Sequence, residues 1–86
     1  MRIDKFLFFA RLVKTRTLAQ RIVAEGHMRL DGRVVDRAHA EVRAGSVLTF
    51  PLNDRVRVLR VEALPVRRGP AAEAQACYTD LKPAVG

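Results

Sequence analysis

The chain has 86 residues, of which 49% are hydrophobic, and a net charge of +7 from 16 Lys and Arg against 9 Asp and Glu. This length indicates one domain, and the hydrophobic fraction argues against a disordered basic tail. One cysteine and two histidines exclude an internal disulfide and a zinc site, so we expect a cytoplasmic protein with no metal or other cofactor. No signal peptide or membrane span is present in the sequence, which leaves nucleic acid as the foremost acidic partner.

The positive charge is concentrated in two stretches. Residues 1–21, the first basic block, hold six basic residues against one acid, a net charge of +5. Residues 55–68, the second basic block, hold five against one, a net charge of +4. Arginine outnumbers lysine 13 to 3, and the planar guanidinium suits phosphate better than an ammonium does. We predict phosphate binding with the first basic block as the primary site, and the second block stays unassigned.

The first predicted helix begins near Ile3. Apolar residues recur with the spacing of one helical face as far as Val13. Asp4 caps this helix or lies in its first turn, where the positive end of the helix dipole favours an acid. Phe8 lies on the opposite face, where we expect the C-terminal helix to cover it, the alternative being a base that stacks on its ring.

A second helix is predicted after a corner of two to four residues. Thr17 and Gln20 have the spacing of a capping box, so the helix is predicted to begin near residues 15–17. Gly26 is predicted to end it, because glycine adopts the left-handed conformation found at helix termini. The first 26 residues therefore form a short helical pair.

The pattern then changes to the alternation typical of strands. Asp31-Gly32 between two short apolar runs predicts a type I′ hairpin, whose two central residues need positive φ. A third strand is predicted at residues 47–50 and, after a turn over residues 51–54, a fourth at residues 55–64. The apolar positions of the fourth strand change parity, which predicts a β-bulge near Val58.

A short alanine-rich helix is predicted from Ala71 to about Tyr78. The predicted fold class is therefore α+β, with two N-terminal helices packed on a small, mostly antiparallel sheet and a short C-terminal helix. We divide the chain into a domain at residues 1–64 and a C-terminal segment at residues 65–86 that packs on the domain or extends it.

No catalytic site is predicted. Ser46 lies in a turn without a nucleophile-elbow motif, and Cys77 is interpreted as a small buried hydrophobe. His27 and His39 have no third ligand nearby, and His27 is better interpreted as an exposed or phosphate-contacting imidazole. The 5 glycines are spread through turns rather than gathered in a phosphate loop. The sequence predicts a binding protein and not an enzyme.

The corner between the two helices is the strongest candidate for phosphate binding. Lys14, Thr15 and Arg16 add two cations and a hydroxyl to the free backbone N–H groups of a helix N-terminus. The hairpin Asp31-Gly32-Arg33 offers a second lip, since a glycine lets the backbone approach a ligand closely. The structural alternative is a capped helix followed by an ordinary polar loop.

Three stretches carry a family resemblance: residues 1–7 (Met-Arg-Ile-Asp-Lys-Phe-Leu), residues 14–19 (Lys-Thr-Arg-Thr-Leu-Ala) and residues 26–32 (Gly-His-Met-Arg-Leu-Asp-Gly). Together they resemble the alpha-L RNA-binding domain, the type named after small-subunit ribosomal protein S4. The first two stretches and residues 72–78 are also similar to the stand-alone bacterial heat-shock protein 15 family and its short relatives in ribosome-associated quality control.

The resemblance implies RNA binding without catalysis. Members of the stand-alone kind associate with the large ribosomal subunit when a nascent chain and its tRNA are stranded there. The implied partners are large-subunit ribosomal RNA, tRNA and the ribosome, in a heat-shock or ribosome-rescue role, and we expect no membrane partner and a monomer when free. The resulting RNA-binding residues are Arg2, Lys5, Arg11, Lys14, Thr15, Arg16, Gln20, Arg21, His27, Asp31, Gly32 and Arg33.

Two departures from the family pattern accompany this prediction. Asp31 stands where the family usually has Asn, which keeps the turn but adds a negative charge to the hairpin lip. The basic C-terminal extension of the longer heat-shock members is lacking, which favours the short relatives. Two other functions stay open: an RNA-targeting module of an RNA-modifying enzyme or tRNA synthetase and, less favoured, a DNA-binding helix-turn-helix.

Overall fold

Two helices, four strands, a third helix and a fifth strand follow one another along the chain in a computed structural model that describes residues 1–81. The elements are α1 (Ile3–Phe9), α2 (Arg16–Ala24), β1 (Met28–Leu30), β2 (Arg33–Val35), β3 (Val47–Leu52), β4 (Arg55–Val61), α3 (Ala71–Gln75) and β5 (Tyr78–Asp80). The strands form one sheet in the order β2-β1-β3-β4-β5, and every neighbouring pair is antiparallel. The predicted α+β class is confirmed.

A single hydrophobic core joins the helices to the sheet. Phe6 and Leu7 of α1 and Val23 of α2 are fully buried together with Leu48 and Phe50 of β3. Burial of each such side chain stabilises the fold by about 1.5–3 kcal/mol. The core therefore fixes the angle at which α1 and α2 meet, and with it the positions of the polar side chains at their ends.

The first helix ends earlier than its apolar pattern. Arg11 has a φ of +57°, a left-handed conformation that terminates the helix, and its Nε donates a hydrogen bond to the carbonyl of Gly69 at 2.5 Å. Val13 is nevertheless buried, so its place in the apolar spacing reflects burial in a loop rather than a longer helix. The corner spans six residues, 10–15, and the prediction of two to four was wrong.

The second helix begins within the predicted range but with a different cap. Thr15 is the N-cap residue, and its Oγ1 accepts a hydrogen bond from the Leu18 amide at 3.0 Å. The prediction of a capping box formed by Thr17 and Gln20 was wrong, because the Gln20 side chain donates to Asp4 on the neighbouring helix instead.

Two type I′ geometries close the hairpins. Asp31 and Gly32 have φ values of +51° and +84°, which confirms the predicted turn between β1 and β2. Asn53 and Asp54 also have positive φ, +53° and +62°, and close β3 onto β4. The third strand consequently runs to Leu52, beyond its predicted end at residue 50.

The fourth strand contains no bulge among its paired residues. Its register with β3 runs without interruption from Val47 opposite Arg60 to Leu52 opposite Arg55, so the predicted bulge near Val58 was wrong. The apolar residues of this strand change parity for another reason. Val56 and Val58 both lie on the face of the sheet that points away from the core, where Val58 is half-buried and Val56 is exposed.

The C-terminal segment contributes a strand that was not predicted from the sequence. The helix predicted to reach Tyr78 ends at Gln75, and Tyr78 begins β5, which pairs with β4. The amides of Glu62 and Ala63 both donate to the carbonyl of Cys77 and lock this strand in place. Residues 82–86 lie outside the described residues, and the division of the chain after residue 64 stays a prediction. Over residues 1–81, no helix has the length and apolar character needed to cross a bilayer.

Phe8 is half-buried beneath a charged side chain. The guanidinium of Arg68 lies over its ring, 4.7 Å from the centroid, and the Arg68 Nε donates to the Phe8 carbonyl at 3.1 Å. Such cation–π contacts contribute about 0.5–1 kcal/mol at exposed sites. The segment that precedes α3 therefore supplies cover for this ring, where the prediction named the C-terminal helix itself.

Candidate nucleic-acid interface

The centre of the candidate site is a buried carboxylate at the start of α1. Asp4 is fully buried and accepts hydrogen bonds from Arg2 through Nε at 3.1 Å and Nη2 at 3.2 Å. It also accepts from the Lys5 amide at 2.8 Å, from Arg16 Nε at 3.3 Å and from Gln20 Nε2 at 3.2 Å. One carboxylate thus ties the start of α1 to α2, and we call this group of residues the Asp4 network.

The Asp4 network keeps its carboxylate ionised. Burial alone would oppose ionisation, but the hydrogen bonds from Gln20, Arg2, the Lys5 amide and Arg16 outweigh it and hold the pKa of Asp4 below its ordinary value. The sequence pattern predicts that Asp4 caps α1 or lies in its first turn, and the structure places it in the first turn. One sequence feature could have indicated its role as a shared acceptor: Asp4 is the single acid among the six cations of the first basic block.

The two arginines of the network keep part of their donor capacity for a ligand. Their side chains are 45% exposed at Arg2 and 43% at Arg16. Arg16 donates to Asp4 through Nε, and among residues 1–81 its two terminal nitrogens make no hydrogen bond. In a guanidinium these nitrogens are the fork that suits two phosphate oxygens at once, and Asp4 holds this one by its Nε.

The N-terminus of α2 adds positive charge beside this fork. Thr15 caps the helix by accepting from the Leu18 amide, and the amides of Arg16 and Thr17 at the helix start have no hydrogen-bond partner within residues 1–81. Lys14 precedes the cap and Arg21 lies further along the helix; both are exposed, and neither contacts an acid within residues 1–81. The predicted corner therefore presents backbone donors and cations together.

Two predicted residues of the first basic block are engaged inside the fold. The Lys5 ammonium lies over the Phe9 ring at 5.3 Å from its centroid, and Arg11 donates to the Gly69 carbonyl. Neither side chain belongs to the Asp4 network. The structure therefore separates the twelve predicted residues into a group around Asp4 and α2 and a group that lies elsewhere.

The hairpin lip lies apart from the network. Asp31 Oδ1 accepts from the Val47 amide at 2.8 Å, and the Asp31 amide donates to the Val47 carbonyl at 2.8 Å, so this carboxylate fixes the hairpin to β3. The other predicted residues in this region are all exposed: His27, Gly32 and Arg33. Within residues 1–81 no hydrogen bond joins this hairpin to the Asp4 network.

The second basic block is largely paired within the fold. Four of its five arginines contact the protein itself, and Arg68 does so through Phe8. The three ion pairs are Arg57–Asp80 at 2.7 Å, Arg60–Glu62 at 2.9 Å and Arg67–Glu73 at 3.1 Å. The charge that the sequence left unassigned therefore has a structural role, with Arg55 as the exception among the described residues.

Metal and thiol chemistry find no support in the part of the chain that the structure describes. Residues 1–81 contain no group of three or more His, Cys, Asp and Glu side chains placed to hold a metal ion. Cys77 is buried, and burial together with the nearby Glu73 charge raises the pKa of its thiol, which keeps it protonated and unreactive at neutral pH.

Comparison with known proteins agrees with the resemblance noted in the sequence. The model of the S4 domain family matches residues 1–48. The RQC P-site tRNA stabilizing factor of Bacillus subtilis is 34% identical over 82 residues, which cover 95% of this chain and 93% of that protein. Heat shock protein 15 of Escherichia coli is 31% identical over 85 residues, which cover 99% of this chain but only 63% of that protein.

A solved structure is similar along nearly the whole fold. The trimeric structure of Vibrio cholerae Heat Shock Protein 15 superposes with a TM-score of 0.87 at 30% identity, covering 94% of this chain and 81% of that one. These matches confirm both the predicted family resemblance and the predicted arrangement of helices and sheet. The expectation that this chain is a monomer when free stays a prediction.

Proposed function

The chain belongs to the S4 domain family, and from this premise we propose that it is a non-catalytic RNA-binding protein of the cytoplasm. Its RNA is ribosomal RNA of the large subunit, on subunits that carry a stranded peptidyl-tRNA. The tRNA is a second partner at the same place. The protein acts in ribosome rescue by holding these RNAs rather than by cleaving or modifying them.

The Asp4 network is the observation that carries this proposal. It brings three predicted RNA-binding side chains, Arg2, Arg16 and Gln20, onto one buried anchor beside the capped start of α2. A rigid fork of guanidinium donors next to free backbone amides suits the phosphates of a folded RNA, whose backbone spacing is fixed. Lys14, just before the cap of α2, and Arg21, within α2, extend the positive surface.

The similar proteins favour the tRNA-linked form of this function. The Bacillus subtilis relative is named for stabilising a P-site tRNA, and the match spans 93% of its length. The Escherichia coli relative is a heat shock protein of which the match spans 63%. Since the shorter relative is matched almost throughout, the proposal follows its printed function more closely.

Co-sedimentation with separated ribosomal subunits tests the proposal. We expect binding to large subunits, stronger when they carry trapped peptidyl-tRNA, and loss of that binding for the variant K14A/R16A. Structured RNA should compete better than duplex DNA of equal length. A DNA-binding helix-turn-helix would give the opposite order.

The proposal has clear contrary outcomes. Exclusive binding to free small subunits would contradict the large-subunit assignment while leaving RNA binding intact. Unchanged binding by K14A/R16A at moderate salt would show that the corner of α2 is not the interface. Stronger competition by duplex DNA would replace the RNA-binding proposal altogether.

A further inference from the structure

A groove of about 320 Å³ crosses the outer face of the sheet, the face opposite the core. Its lining residues are His27, Arg29, Thr49, Phe50, Pro51 and Val56. His27 and Arg29 are exposed, and Val56 is 61% exposed although it is apolar. Nothing in the proposed function uses this surface, although His27 is among the predicted RNA-binding residues.

The sheet register fixes how the groove is built. Arg29 on β1 lies opposite Thr49 on β3, and Pro51 on β3 lies opposite Val56 on β4. The groove therefore crosses three strands, a distance of about 10 Å at the usual strand spacing. Its β1 end is cationic because Arg29 belongs to that strand, and its β4 end is apolar because Val56 belongs to the other.

The chemistry of the lining favours a ligand that is anionic at one end and flat and apolar at the other. The lining contains two nitrogen-bearing side chains and a hydroxyl but no carboxylate. The Arg29 side chain makes one hydrogen bond within residues 1–81, a long contact of 3.4 Å from Nη1 to the Gly32 carbonyl. Most of its guanidinium donors therefore face solvent. A nucleotide has this division, with a phosphate at one end and a base at the other.

A peptide strand fits this groove less well than a nucleotide does. Extended peptides bind sheets by pairing with the free backbone groups of an edge strand. The strands beneath the groove, β1, β3 and β4, are interior in the order β2-β1-β3-β4-β5, so neighbours on both sides already engage them. Recognition here must come from side chains and from stacking on the sheet surface.

We propose that this groove holds one unpaired nucleotide of the RNA that the first basic block binds. The inference rests on the proposed function and extends it by naming a second contact on the same RNA. The phosphate of the nucleotide lies at His27 and Arg29, and its base lies on Pro51 and Val56. An unpaired base suits such a surface, because a bulged or looped base exposes both its face and its edge.

Two RNA hairpins with identical stems test the proposal, one of them carrying a single bulged adenosine. Fluorescence anisotropy gives the Kd of each hairpin for the wild type and for three variants. We expect the wild type to bind the bulged hairpin roughly 10-fold more tightly, because the bulged base gains apolar contact with Pro51 and Val56 that the plain hairpin lacks. V56E should lose this preference, since its carboxylate lies where the base would pack.

A matched variant separates the groove from general electrostatics. V66E makes the same change of charge at a residue that is 90% exposed and outside the groove, and it should keep the preference. K14A/R16A should weaken both hairpins equally. Binding of neither hairpin by the wild type would contradict the proposed function itself, whereas equal binding of both would overturn only the groove assignment.

NMR amide shifts decide between RNA and protein as the occupant. The bulged hairpin should shift the signals of Thr49 and Val56, and the plain hairpin should leave them unchanged. The proposal is wrong if V56E keeps the preference, if V66E loses it, or if an Asp- and Glu-rich peptide shifts these signals while the bulged hairpin does not.

Discussion

The two basic blocks carry almost the same net charge, +5 over residues 1–21 and +4 over residues 55–68, but the fold uses their arginines differently. In the second block each of three arginines is matched with its own exposed acid, and a fourth covers an aromatic ring. In the first block two arginines share the single carboxylate of Asp4, which is buried. The first block therefore keeps a surplus of positive charge at its surface.

This difference shows that charge density along a chain does not by itself identify a binding surface. What matters is how many acids the fold brings within reach of the cations. One buried acid orients several guanidinium groups without neutralising them all. One acid per arginine leaves little unpaired positive charge to attract a ligand. We expect RNA affinity to fall strongly when cations are removed from the first block and to change little when the same number is removed from the second.

The largest expected effect on RNA affinity comes from removing two cations from the first block, and removing two from the second block is the control. K14A/R16A should weaken RNA binding roughly 100-fold at about 0.1 M salt, since each charge-assisted hydrogen bond contributes about 1.5 kcal/mol. The slope of log K against log salt should also fall by roughly two, one for each phosphate that the variant no longer binds. R60A/R67A removes the same charge from the second block and should change affinity by less than about threefold. Equal losses of affinity in both variants would show that net charge alone governs binding.

A substitution of the buried anchor tests orientation against charge. Asp4→Asn makes the protein more positive, so simple electrostatics expects tighter RNA binding. We expect binding to weaken roughly 10-fold, because Arg2 and Arg16 lose the anion that fixes them. The free energy of unfolding should fall by about 2 kcal/mol, because hydrogen bonds to a charged group are removed. Titration of RNA and urea denaturation measure the two effects, and tighter binding would refute the positioning role.

The same anchor predicts how stability depends on pH. Because the pKa of Asp4 is lower in the folded state than in the unfolded chain, its contribution to stability is fully present above about pH 5, where the unfolded aspartate is also ionised. It disappears as the pH falls through the folded-state pKa, since the folded protein must then protonate a carboxylate that its hydrogen bonds keep ionised. Thermal unfolding between pH 6 and pH 2.5 should show a steeper decrease in stability for the wild type than for Asp4→Asn. Parallel curves would remove Asp4 as the source of this dependence.

Local signals in the sequence explain most of what was predicted. The two helices, the Asp31-Gly32 turn and the strands β1 to β4 each depend on residues close in the chain, and all of them appear in the structure. The corner at Lys14 to Arg16 was found for the same reason, because a helix start and its neighbouring cations are contiguous. The family resemblance covers this same N-terminal half.

Most of the failures involve partners far apart in sequence. The end of α1 depends on Arg11 reaching Gly69, and β5 exists because β4 offers it a free edge. The Asp4 network joins residues up to sixteen positions apart, so no local pattern marks it. The pairing of Arg57 with Asp80 spans 23 positions, which is why the second block could not be assigned from composition.

The smallest expected effect comes from the Arg57–Asp80 pair, which tests whether the second basic block serves the fold rather than RNA binding. Arg57 donates to Asp80 through Nε and Nη2, and the pair connects β4 to the terminal strand β5. Arg57→Ala should lower the free energy of unfolding by about 0.2–1 kcal/mol, the range for partly exposed ion pairs, and leave RNA affinity unchanged. A double-mutant cycle with Asp80→Ala isolates the coupling from the change in side-chain packing. A coupling near zero would make the pair incidental, and weaker RNA affinity in Arg57→Ala alone would return the second block to the interface.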